Sequence, residues 1–344
     1  MRCLTTRPVL LTIGMTLVLS LGSAFPAPWA SAQPSLPIKI GYLSGPDWLM
    51  FAARDLKTFE QEGLSPTYVR FEAGMPLIAA AESQSIDVSA VGIVPFVLGI
   101  SQGVDWAMIG LLEGAYGEGL VARRDSGIDT PADLKGKRIG YYRGSVAHYG
   151  ILMVLREFGI RVDQVTLLHM SPPEQLAALA KKEIDAAMVW EPWMHRMVRD
   201  AGARVIAREG ELGIHMAVGG YSVRRDWLRD NREAVVRFLR GLLRAYDALR
   251  KDERVAISAG AREMGISDEW AEAIYAYTPP SNMHLWADPR YRHSLAKGSS
   301  LDRRLGYLGA FLFDEKLIPK RVDLRNALDA SVIAEALKTW KPGQ

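Results

Sequence analysis

The chain has one cysteine in 344 residues, Cys3. A lone thiol closes no disulfide, and its place in the basic start, away from any cleavage site, gives no lipoprotein attachment point. Thiol chemistry is therefore excluded from everything that follows it. An excess of one charge is also lacking, with 42 Lys and Arg against 39 Asp and Glu, which leaves no electrostatic footprint for nucleic acid. Leaving out Arg2 and Arg7 brings the 42 basic residues to 40, a net charge of +1. No apolar run after residue 32 is long enough to span a bilayer. Catalytic signatures are missing as well: there is no Gly-x-Ser-x-Gly elbow and no helical zinc pair. His148, His169, His195, His215, His284 and His293 are scattered singly, and only His148 follows a turn suited to a cleft. Neither a metal nor a cofactor is expected.

What is present begins with the first 32 residues. Arg2 and Arg7, an apolar run from Val9 to Leu21 and the small residues Ala30-Ser31-Ala32 have the layout of a secretory signal peptide. The run is short and interrupted by Gly14, with Gly22 following, which disfavours a membrane anchor. The expectation is an exported, periplasmic chain with residues 1–32 removed. About 310 residues then remain, enough for two domains at roughly 100 to 200 residues each.

Those residues alternate strand and helix signals. Ile38 to Tyr42 is β-favouring and ends at Ser44-Gly45-Pro46-Asp47; a helix is predicted over Trp48–Gly63, a strand over Thr67–Phe71, a helix over Met75–Ser83 and a strand over Ile86–Val91. The same grammar restarts with the strand ending at Tyr141, a helix over Val146–Phe158, a strand over Gln164–Leu168, a helix opened by Pro172-Pro173 and a strand over Ile184–Val189. Gly119–Arg123 and Ala217–Val223 are read as extended crossings between the two units. From Arg232 onward an apolar stripe at Val235, Phe238, Leu239, Leu242, Leu243, Tyr246 and Leu249 marks a helix. The predicted fold class is α/β, two lobes that are each a largely parallel sheet flanked by helices. Lobe 1 is discontinuous, 33–120 and 218–344, and lobe 2 is 121–217, with a cleft between them.

In such sheets ligands lie beyond the carboxyl ends of the strands, where helix amino termini offer unpaired N–H groups to an anion. Four turns qualify: Ser44-Gly45-Pro46-Asp47-Trp48, Ala73-Gly74-Met75-Pro76, Gly92-Ile93-Val94-Pro95 and Gly144-Ser145-Val146-Ala147-His148. Any one of them alone reads first as a helix cap; convergence from two lobes is the stronger signal. At Val189-Trp190-Glu191-Pro192-Trp193 the proline stops a strand, which puts Trp190 and Glu191 at the cleft edge. Trp190 is suited to wall a pocket and Glu191 to meet a cation or donor, while Glu191 as a helix-cap partner and Trp193 as core are the structural alternatives. Glu113, Tyr116 and Tyr221 flank the crossings and are placed on the cleft floor.

Taken in order, Ile38 to Tyr42, Phe71-Glu72-Ala73-Gly74, Ile86 to Gly92, Thr130-Pro131-Ala132-Asp133-Leu134-Lys135-Gly136-Lys137, Gly144-Ser145 and Ile184 to Pro192 resemble the periplasmic solute-binding proteins of ABC importers for nitrate, taurine and alkanesulfonates. The resemblance runs over essentially the whole chain after the leader, through Leu317-Ile318-Pro319-Lys320. Gly144 to Tyr149 and the Pro172-Pro173 turn are most similar to the taurine and sulfonate branch. The resemblance implies a type II periplasmic binding protein fold that closes on a small solute and docks, as a monomer, on an inner-membrane permease with its ATPase. It implies contacts at Ser44, Asp47 and Trp48, at Gly92, Ile93 and Val94, at Gly144, Ser145 and Val146, and at Trp190 and Glu191. Asp47 and Trp48 stand where other members vary, and Glu191 also occupies a varying position, so the ligand does not follow from the fold. A small organic anion or zwitterion is expected, with Asp47, Glu113 or Glu191 meeting an ammonium group and Trp48, Tyr116 or Trp190 offering a ring face. A thiamine-precursor pyrimidine or other amine-bearing molecule is the alternative ligand; an enzyme or a receptor-docking sensor is the alternative role.

Overall fold

The computed structural model describes residues 35–112, 118–213 and 219–341; the proposed leader, Glu113 and Tyr116 lie outside them. The first unit runs β1 (Leu36–Leu43), α1 (Trp48–Asp55), α2 (Thr58–Gln61), β2 (Leu64–Phe71), α3 (Gly74–Glu82), β3 (Val88–Gly92), α4 (Ile93–Gln102) and β4 (Trp106–Leu111). The helix predicted over Trp48–Gly63 is broken in two, because Lys57 adopts a left-handed conformation (φ 54°) that no right-handed helix accommodates.

The second unit runs β5 (Glu118–Arg123), β6 (Arg138–Tyr141), α5 (Val146–Glu157), β7 (Thr166–His169), α6 (Pro172–Ala180), β8 (Ala186–Trp190), α7 (Trp193–Asp200) and β9 (Ala203–Arg208). The chain then forms β10 (Gly219–Arg224) and the helices α8 (Arg225–Asp230), α9 (Arg232–Leu249), α10 (Arg254–Met264), α11 (Asp268–Tyr275), α12 (Ser300–Asp314) and α13 (Ser331–Thr339).

Two five-stranded sheets result, ordered β2-β1-β3-β10-β4 and β7-β6-β8-β5-β9. Each is parallel except for one strand, β10 in the first and β5 in the second, which runs antiparallel to both neighbours. This corrects the reading of Gly119–Arg123 and Ala217–Val223 as crossings. Residues 119–123 belong to β5, and residues 219–223 to β10. Both strands are buried apart from their last residue and have ladder partners on both sides, as near-continuous apolar runs require. Residues 113–117, between β4 and β5, and 214–218, between β9 and β10, lie outside the described residues.

The α9 stripe predicted from the sequence is buried throughout, with Phe238 stacked on Phe59 at 5.1 Å and edge-on to Tyr221 at 5.4 Å. It packs α9 against α1 and α2 and fixes the back of the first sheet. A smaller apolar cluster of Val121, Leu179, Ile184, Val189, Met194 and Met197 covers one face of the second sheet. With these faces held, the strand-to-helix turns after β1, β3, β6 and β8 are left to build the region between the lobes. No helix among the described residues is long and apolar enough to cross a membrane.

Candidate ligand-binding site

A cavity of about 730 Å³, mouth included, lies where those turns meet. The first lobe supplies Leu43, Gly45, Pro46, Asp47, Gly74, Ala90, Gly92 and Pro95, and the second supplies Glu118, Ser145, Val146 and Trp190. Close approach of the lobes depends on glycine: a Cβ added at Gly92 would stand 2.7 Å from Cγ2 of Val146, across the cleft. On the second lobe, Gly144 takes a φ of 76°, which lets the chain turn sharply from β6 into α5.

Asp47 caps α1. Its Oδ1 accepts from the Met50 amide at 3.1 Å and from the Tyr221 hydroxyl at 2.5 Å, while Oδ2 has no partner within the protein. The side chain lines the cavity although the residue is only 3 % exposed. Burial pushes its carboxyl up to about 7, against the pull of those two hydrogen bonds. Tyr221 is fully buried behind it and is a positioning residue, held edge-on against Phe238.

On the same cavity wall, from the second lobe, is Glu118, the first residue of β5 and the register partner of Trp190 on β8. Directly opposed residues of antiparallel strands stand on one face, and both side chains line the cavity. Glu118 is 7 % exposed and its Oε2 has no protein partner. Burial, reinforced by the charge of Glu191, pushes it up to about 7. Behind it Glu209 is fully buried with neither carboxyl oxygen bonded within the protein, and burial together with Glu118 raises it well above the carboxylate range. The Glu209 carboxyl fits against helix α5 only because residue 150 is glycine; a Cβ there would fall 1.8 Å from Oε1.

The sequence matches the family described as NMT1/THI5 like over residues 49–256, more than half of the chain. The chain belongs to this family. Over 288 residues it is 26% identical to a Bacillus subtilis (strain 168) protein named "Putative aliphatic sulfonates-binding protein", covering 83% of this chain and 82% of that one. It is 27% identical over 212 residues to the taurine-binding periplasmic protein of Escherichia coli (strain K12), covering 60% of this chain and 65% of that one. Among solved structures, the alkanesulfonate-binding protein SsuA from Xanthomonas axonopodis pv. citri, bound to MOPS, superposes with a TM-score of 0.72 at 25% identity, over 88% of this chain and 98% of that one. The two-lobed α/β architecture is thus that of the family's periplasmic binding proteins.

Within this family member the expected site residues divide into groups. Asp47, Gly92, Ser145, Val146 and Trp190 come together on the cavity wall. Ser44 is buried beside them, its Oγ without a partner. Ser145 Oγ donates to the Tyr142 carbonyl at 2.7 Å and accepts from the His148 amide at 3.2 Å, so its only hydrogen is committed to the turn. Val94, Gly144 and His148 line a neighbouring groove with Arg143, His169 and Lys316. There His148 lies against Tyr141 and its Nδ1 accepts from the Gly144 amide; burial, then the Arg143 charge, pulls it down to about 4, so it is a neutral wall.

Three expected contacts are turned elsewhere. Trp48 is fully buried, donates to Thr278 Oγ1 at 3.0 Å and packs edge-on against Tyr275 at 5.2 Å, so it belongs to the core. Ile93 is buried in the same apolar core. Glu191 is fully buried with its carboxylate taken by the Tyr277 hydroxyl and by Nδ1 and the amide of His195. Glu191 follows the end of β8, in the turn before α7, and its carboxylate is held away from the cavity wall by those partners. Conversely, Glu118 and Glu209 did not figure among the expected contacts. The available signal for Glu118 was a lone acid beside Gly119, opening a strand that is otherwise apolar.

Proposed function

We propose that the protein is the periplasmic solute-binding component of an ABC importer, which captures a small organic anion or zwitterion of the taurine or aliphatic-sulfonate type and presents it to a membrane permease coupled to an ATPase. The reading includes export through a cleaved leader and action as a monomer. The observation that carries it is a cavity walled by strand-to-helix turns of both lobes. An acidic head group would be received by the Val146 and Ala147 amides in the first turn of α5, which have no intrahelical acceptor, and by the helix dipole behind them. Ser145 would shape that turn. Asp47 and Ser44, each with an oxygen unbonded within the protein, would meet the other end.

Binding without turnover is supported by the relatives, which are named as binding proteins. An amine-bearing heterocycle such as a thiamine-precursor pyrimidine is the second reading, favoured by the acids of the wall and the indole of Trp190. The test is a thermal-shift screen of purified residues 33–344 against sulfonates, amino acids, nitrate, aromatic acids and pyrimidines, since a solute bound by the folded state alone raises its melting temperature. Stabilisation by one class, with the solute recovered unchanged, supports the reading; conversion of the solute would make the protein an enzyme.

A further inference from the structure

We propose that the cavity selects solutes carrying a protonated nitrogen, held jointly by Asp47 of one lobe and Glu118 of the other, and that otherwise matched solutes without that charge are discriminated against. This rests on the solute-capture reading above and specifies what the captured solute must contain.

The wall itself supplies the argument. Asp47 Oδ2 and Glu118 Oε2 are carboxylate oxygens on buried residues, both side chains line the same cavity, and neither oxygen has a partner within the protein. Buried acceptors of that strength are ordinarily bonded, and leaving them unmet costs more than leaving a neutral group unmet. The described residues of the wall contain no arginine, lysine or histidine to meet them. A sulfonate placed there alone would add a negative charge to two acids in a largely apolar pocket formed by Leu43, Pro46, Ala90, Pro95 and Val146. An ammonium or a protonated ring nitrogen carries the donors and the charge that both oxygens lack. Trp190, standing beside Glu118 on the same sheet face, adds an aromatic surface of the kind that attracts such cations.

The same arrangement makes capture depend on pH. Asp47 is faced by the Tyr221 hydroxyl and the Met50 amide, with the Arg54 charge farther off; Glu118 is faced by Glu191 and Glu209. Both cavity acids titrate at about 7, so a cationic solute binds to their ionised forms and displaces protons. Affinity for it rises between pH 6 and pH 8, as long as the solute's own nitrogen stays protonated.

The experiment uses pairs of solutes in which an ammonium group is exchanged for a hydroxyl: taurine against isethionate, and benzylamine against benzyl alcohol. Calorimetry and thermal shift are run at pH 6 and pH 8 on the protein and on the variants Asp47→Asn and Glu118→Gln. Asp47→Ser, which keeps a capping oxygen for α1, serves should the asparagine variant melt early. The expected result is that the ammonium member of a pair binds at least about tenfold more tightly than its hydroxyl twin, and that each variant weakens it about ten- to a hundredfold while flattening its pH dependence. Equal binding of the twins, capture only of nitrogen-free solutes in the wider screen, or unchanged ammonium affinity in folded variants would each overturn the clamp and leave solute capture standing. If no solute of the wider screen binds, the capture reading falls and takes the clamp with it.

Discussion

Asp47 was legible in the sequence because an acid after Gly-Pro, at the mouth of a strand and the start of a helix, has only a few things to do there. It caps the helix with one oxygen and reaches the cleft with the other. Trp48 was misplaced by the same proximity: one residue further along, the helix turns the side chain through to the opposite side, where Thr278 and Tyr275 receive it. Glu118 is marked in the sequence only as an acid opening an apolar run, since its importance comes from the strand it faces. Ser145 stands on the cavity wall with its hydroxyl engaged in the turn. Its hydroxyl holds the α5 cap, so Ser145→Ala is expected to lower stability by about 0.5–2 kcal/mol with little change in solute affinity, measured by urea unfolding and calorimetry on the same sample. Glu118 leads to the opposite expectation for stability. A carboxyl at about 7 when folded, against an ordinary value of 4.5, binds protons more tightly in the native state, so stability is full below pH 4, falls as pH rises toward 7 and stays low above it. Glu118→Gln removes that loss. It should exceed the parent in stability at pH 8 by on the order of 3 kcal/mol and show no such gain at pH 4, read from denaturant midpoints at the two pH values.

At the scale of elements, periodicity located what packing alone decides. The seven-residue stripe of α9 followed the helical repeat and is buried as expected, so Phe238→Ala should cost about 3–5 kcal/mol in chemical denaturation by opening a cavity between Phe59 and Tyr221. An unchanged midpoint would mean that this helix does not brace the first sheet. Where the repeat was interrupted by backbone conformation, as at Lys57, the sequence offered no warning, because lysine is an unremarkable helix residue and its left-handed geometry is imposed by the surrounding fold. β9 escaped notice for another reason: Arg204 and Arg208 alternate with buried alanines, and their aliphatic stems lie along the sheet while their charged ends find Asp129 and Glu211. The antiparallel strands β5 and β10 were recognised as extended but not as members of a sheet. Nothing local distinguishes a strand that joins a ladder from one that leads away.

At the scale of the molecule, the two lobes approach closely around the cavity, so that a Cβ added at Gly92 would meet Val146 and one added at Gly45 would meet Trp190. These close approaches are the ones that opening would widen, and hinge closure is the usual response of two domains to a ligand between them. Small-angle scattering should therefore show a smaller radius of gyration with saturating solute than without it. An unchanged profile alongside calorimetric binding would mean that the lobes hold one arrangement. The alternation of strand and helix made the two-lobed class readable, whereas the place of each antiparallel strand depended on pairings distant in the chain, such as Tyr221 with Ala90 and Glu118 with Trp190.

That long-range pairing has a consequence for the order in which the protein takes shape. β4 joins its sheet only through β10, and β10 is made after the whole second lobe. A chain emerging amino terminus first can assemble β1, β2 and β3, but β4 waits for its neighbour until residue 224 is available. The second sheet needs nothing beyond β9 and is free to finish earlier. The lobe that starts first is thus completed last, and a fragment ending after β9 would carry one finished lobe and one with an exposed strand edge, the kind of edge that invites aggregation.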